Sequence, residues 1–74
     1  MLTTLDSQRR RQFNDDDEVS ATVRDKTGTL SDQRFGIERW RLVGDRYEYQ
    51  LRDLLTGRIV ESGRWFKETE LDYA

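Results

Sequence analysis

From Glu18 onward, apolar and polar residues alternate with a period of two. Val19, Ala21 and Val23 interleave with Ser20, Thr22 and Arg24, as in a half-buried strand whose side chains point to opposite faces in turn. The stretch DKTGTLSDQ (Asp25–Gln33) is rich in turn formers and predicts a long loop. RFGIERWRLVG, Arg34 to Gly44, predicts a second strand, but its apolar phase slips. Phe35 and Ile37 are odd-numbered, whereas Trp40 and Leu42 are even-numbered. A strand keeps both sets on one face only by accommodating an extra residue in a bulge or bend. Gly36 suits such a deformation.

Gly44-Asp45 predicts a tight hairpin, and RYEYQLRD (Arg46–Asp53) a third strand with Tyr47, Tyr49 and Leu51 on one face and Glu48, Gln50 and Arg52 on the other. Leu54-Leu55-Thr56-Gly57 reads as the next turn, Arg58 to Ser62 as a fourth strand carrying Ile59 and Val60, and Arg64 to Phe66 as a very short fifth after the break at Gly63. KETEL then predicts a single helical turn that returns Leu71 to the core. Residues 1–17 show no stripe of either period, only Met1, Leu2, Leu5 and Phe13 beside opposed RRR and DDDE blocks. They predict a flexible N-terminal arm. The expected domain is 18–74: all-β, a small five-stranded barrel with a short C-terminal helical turn, since closure removes exposed strand edges. An open meander with the N-terminal arm packed across it is the competing arrangement.

The succession RYEYQLRD, TG and ESGRWFKETEL resembles the C-terminal half of SH3-like barrels of the Tudor and chromo-barrel kind. It is similar in particular to short domains of this type in fungal proteins. The likeness covers Tyr47 to Leu71; Val19 to Leu42 agrees only in strand pattern. It implies a Tudor-like fold and a cage of two to four aromatic rings that holds a methylated ammonium or guanidinium by cation–π attraction. The positions that correspond are Trp40, Tyr47, Tyr49 and Trp65, with Glu68 or Asp45 as the acid. The residues themselves also allow a plainer reading: Tyr47 and Tyr49 share a face with Leu51, as core residues do. Trp65 and Phe66, as neighbours on a strand, must face opposite ways, and Phe66 is assigned inward.

Composition narrows the function classes. With 74 residues, the chain buries only about 60% of its unfolded surface, and it has no cysteine or histidine to add a disulfide or a zinc site. The missing histidine also removes the usual general base, and no phosphate loop, nucleophile elbow or metal motif is present. The expectation is therefore a non-enzyme without cofactor or metal. Asp15, Asp16, Asp17 and Glu18 lack the spacing of a calcium loop. No apolar run reaches the roughly 20 residues that span a bilayer, so the chain is expected to avoid membranes and to reside inside the cell, in nucleus or cytoplasm.

The formal net charge of −2 lies in the N-terminal 18 residues, and the remainder is balanced. A surface built on phosphate contacts normally shows a basic excess. The expected function is a protein-interaction module that takes a basic or methylated peptide partner. Two alternatives stand beside it: a nucleic-acid (RNA or DNA) barrel using the strand arginines Arg39, Arg41, Arg52 and Arg64, and a structural or assembly subunit. For the arginines themselves, cross-strand pairing with Glu38, Glu48 and Glu61 on a solvated face is the simplest expectation.

Overall fold

The alternation that begins at Glu18 builds β1 (Glu18–Arg24), with Val19, Ala21 and Val23 buried and their neighbours facing outward. A computed structural model describes residues 11–74 of the chain. β2 (Leu30–Val43), β3 (Arg46–Asp53), β4 (Phe66–Lys67) and β5 (Leu71–Tyr73) complete one antiparallel sheet in the order β4-β3-β2-β1-β5. The two outer strands are joined by one 3-10 turn, Glu68–Glu70. The chain from Lys67 to Leu71 reaches at most about 14 Å, so the sheet must curl until its edges approach. The result is a curled, half-barrel sheet around a core of Phe13, Val19, Ala21, Val23, Phe35, Ile37, Tyr49, Leu51, Phe66 and Leu71.

The phase slip in β2 is resolved as its pattern requires. Pairing with β3 shifts register between Ile37 and Arg39, so Glu38 is the extra residue. Phe35 and Ile37 lie opposite Asp53 and Leu51 before it, and Trp40 and Leu42 lie opposite Tyr49 and Tyr47 beyond it. All four apolar residues thereby share the inner face. Gly36 leaves room for Arg52 on the outer face: a Cβ there would lie 2.9 Å from Arg52 Nη2. Arg52 Nη1 donates to the Ile37 carbonyl at 2.9 Å and to Glu38 Oε1 at 3.3 Å. One side chain thus satisfies a backbone acceptor at the bulge and partners the inserted residue.

The loop expected over Asp25–Gln33 is shorter. Asp25 Oδ1 accepts the backbone N–H groups of Thr27 and Thr29, closing the turn before Leu30. Ser31 and Gln33 then pair with Val23 and Ala21. Polar residues are tolerated there because ladder bonding needs only backbone, and Gln33 is exposed and Ser31 partly so.

The expected fourth strand, Arg58 to Ser62, is absent. It is reduced to one bridge, Ile59 with Arg52, followed by a 3-10 turn at Val60–Ser62. Glu61, Ser62 and Gly63 all have positive φ, of 48°, 59° and 100°. Their left-handed backbone turns the chain and halts the ladder. β4 supplies the pairing with β3 instead, and β5, which the sequence pattern did not announce, pairs with β1.

The part of the expected N-terminal arm that is described, 11–17, is packed against the sheet rather than unattached. Phe13 is 0% exposed. Its ring meets Tyr49 edge-on at 5.5 Å and Tyr73 at 4.8 Å. The Tyr73 hydroxyl donates to the Gln12 carbonyl at 2.6 Å. A lone apolar residue in a polar stretch has no periodicity to reveal it, and its burial depends on the open end of the curled sheet. Residues 1–10 of the expected arm lie outside the described residues.

Candidate ligand-binding site

Beyond the bulge, the β2–β3 hairpin runs past the end of the core. Burial falls along its inner face: Tyr49 is 0% exposed, Tyr47 is half-buried, and Trp40 and Leu42 are 44% and 53% exposed. The Trp40 and Tyr47 rings meet edge-on with centroids 5.6 Å apart, the geometry that aligns a positive ring edge with a negative ring face. Beside Tyr47, a groove of about 320 Å³ opens between the hairpin turn and the Glu68–Glu70 turn. Asp45, Arg46, Tyr47, Lys67, Glu68 and Thr69 line it. Its charges balance, Asp45 and Glu68 against Arg46 and Lys67, with Arg46 Nε 4.0 Å from Asp45 Oδ1, so the Tyr47 ring is the part of the wall that favours a cation without a paired counter-charge.

Glu68 serves the fold as well. Its Oε2 accepts the Gln12 N–H at 2.9 Å and the Tyr49 hydroxyl. The same hydroxyl accepts the Phe13 N–H at 3.2 Å. Burial, and then the bond to Glu68, hold the Tyr49 hydroxyl well above the ordinary phenol pKa, so its proton stays in place. This chain of bonds ties the 11–17 segment to β3 and to the turn after β4.

That segment delivers a cation to the aromatic pair. The Arg11 guanidinium carbon stands 4.5 Å from the Trp40 ring centroid. Arg11 Nη1 lies 3.7 Å from Asp15 Oδ1, and only 23% of the Arg11 side chain is exposed.

The four aromatics expected to form one cage therefore do not converge. Trp40 and Tyr47 meet, with Asp45 and Glu68 on the adjoining groove. Tyr49 belongs to the core, and its ring is closed to a ligand from solvent. Trp65 lies on the other face of the sheet because Phe66, 1% exposed, takes the inward position. Its ring lies under Arg41, whose Cζ is 4.2 Å from the centroid.

The strand arginines are engaged on the surface. Arg41 Nη2 bonds Glu48 Oε1 at 2.7 Å, and Arg52 holds the bulge. Arg64 bridges Glu61 at 3.1 Å and Glu70 at 2.8 Å. These carboxylates, Glu61 first, keep the Arg64 guanidinium more firmly protonated than usual. Arg39 is exposed. In the acidic run, Asp17 Oδ2 accepts the Asn14 N–H at 2.8 Å, and Asp15 and Asp16 face solvent. Among the described residues, no three acidic side chains gather as a metal site, and no helix is long and apolar enough to cross a membrane.

No family model, no curated protein and no solved structure matches this chain. The residues that sequence reasoning missed are Arg11 and Phe13. Arg11 is hidden in a run of three arginines, and Phe13 has no apolar neighbour in phase with it.

Proposed function

We propose that the chain is a non-catalytic interaction module in which the Trp40–Tyr47 face receives a cationic side chain from a partner peptide. The observation that carries this reading is the Arg11 guanidinium carbon 4.5 Å from the Trp40 ring centroid, on a ring that meets Tyr47 edge-on at 5.6 Å. The surface has the chemistry to hold a cation and already holds one from its own chain. A strand order with β5 against β1, and a 3-10 turn between the last two strands, supports an SH3-like barrel of the Tudor kind. On that reading the cage is reduced to two rings, Trp40 and Tyr47, each contributing cation–π attraction of about 0.5–1 kcal/mol at a partly exposed position.

The test is an NMR titration with peptides bearing arginine, lysine and their methylated forms. Shifts should concentrate at the Trp40 indole, Tyr47 and Glu68, with Trp65 unmoved. A spectrum unchanged at millimolar peptide would remove this function. The pairing of Arg41, Arg52 and Arg64 with Glu48, Glu38, Glu61 and Glu70 favours the peptide reading over a phosphate-binding one, because the carboxylates offset the positive charge that would draw a phosphate.

A further inference from the structure

The 11–17 segment combines a fixed anchor with a side chain that does not share its constraint. Phe13 is buried against Tyr49 and Tyr73, and the Gln12 and Phe13 backbone is bonded to Glu68, Tyr49 and Tyr73. Arg11, immediately before this anchor, lays its guanidinium over Trp40. Its only other ionic partner among the described residues is Asp15, one turn along the same segment, at 3.7 Å. Both partners are themselves exposed, Trp40 at 44% and the Asp15 side chain at 74%, so each contact stands at the surface. The bonds that seat Phe13 do not involve the Arg11 side chain, so moving Arg11 off Trp40 breaks none of them.

We infer that Arg11 is an intrachain stand-in for the ligand: it occludes the Trp40–Tyr47 face, and an arginine-bearing partner binds by displacing it. This rests on the cation-binding reading above and specifies both the ligand chemistry, a planar guanidinium, and its regulation. The tether makes the competition intramolecular. A guanidinium held by one partly exposed cation–π contact gives a closed state favoured about twofold to fivefold. The apparent affinity for an external ligand is then reduced about threefold to sixfold. Asp15 steadies the closed state, since its carboxylate lies 3.7 Å from the same guanidinium that covers Trp40.

The experiment titrates N-acetyl-arginine amide, and a short arginine-containing peptide, into the full chain and its R11A and D15N variants. Trp fluorescence and the Trp40 indole resonance are the readouts. R11A should bind about threefold to sixfold more tightly than the parent chain, with D15N in between. Resonances of Phe13 and Tyr49 should be unchanged, reporting an intact anchor, and D15N carries the test alone if R11A does not fold. Equal or weaker binding by both variants overturns the stand-in role while leaving the peptide-binding function in place. Absence of binding by all three proteins overturns that function and the gate together.

Discussion

Phe13→Ala tests whether the 11–17 segment is part of the folded unit. The ring is 0% exposed and contacts Tyr49 and Tyr73 with centroids at 5.5 and 4.8 Å. Truncating a buried phenylalanine costs about 3–5 kcal/mol through lost transfer and residual cavity. The segment lies at the open end of the sheet, where it can partly collapse, so the lower end, about 3 kcal/mol, is expected. A domain of this size has only about 4–11 kcal/mol of stability in all. In a urea titration analysed by linear extrapolation, the midpoint should therefore fall sharply at nearly constant slope. A Phe13→Ala protein within about 0.5 kcal/mol of the parent would refute the claim that this residue closes the core.

Phe66→Ala should cost about 3–5 kcal/mol, because its ring is 1% exposed, against about 1–2 kcal/mol for Trp65→Ala. Equal losses in denaturant would contradict their placement on opposite faces. Gly36→Ala should displace the Arg52 guanidinium, which would lie 2.9 Å from the new Cβ, and cost about 1 kcal/mol through the lost bond to the Ile37 carbonyl. Because both changes break that one contact, Gly36→Ala combined with Arg52→Ala should destabilise by clearly less than the sum of the two; additivity within experimental error would exclude the clamp. Tyr49→Phe deletes an oxygen that joins Phe13 and Glu68 and should cost about 1–3 kcal/mol. The hydroxyl pKa is raised above 10.0 in the folded chain, by burial first. Its stabilising contribution is therefore complete below pH 10 and lost as pH rises further. The parent chain should weaken at alkaline pH more steeply than Tyr49→Phe, which a denaturation series from pH 8 to 11 would check.

The sequence by itself determined those features that depend on local alternation. β1 and β3, the slip in β2, the Gly44-Asp45 hairpin and the opposition of Trp65 and Phe66 follow from which face each side chain must take. The slip even located the bulge to within a residue or two, because a phase error in a two-residue period has one geometric remedy. Tertiary structure decided what depends on partners distant in the chain. β5 exists because the turn after β4 carries Leu71–Tyr73 back to Val19–Ala21. Arg58 to Ser62, strand-like in composition, keeps one bridge to β3 and then turns on the left-handed backbone of Glu61, Ser62 and Gly63. The candidate site was legible in its residue types but not in its assembly. Tyr47 and Tyr49 share a strand face and differ only in depth, and depth is set by where the curled sheet ends. Arg11 meets Trp40 only because Phe13 anchors the intervening chain, and no periodic signal encodes that contact between residues so far apart in sequence.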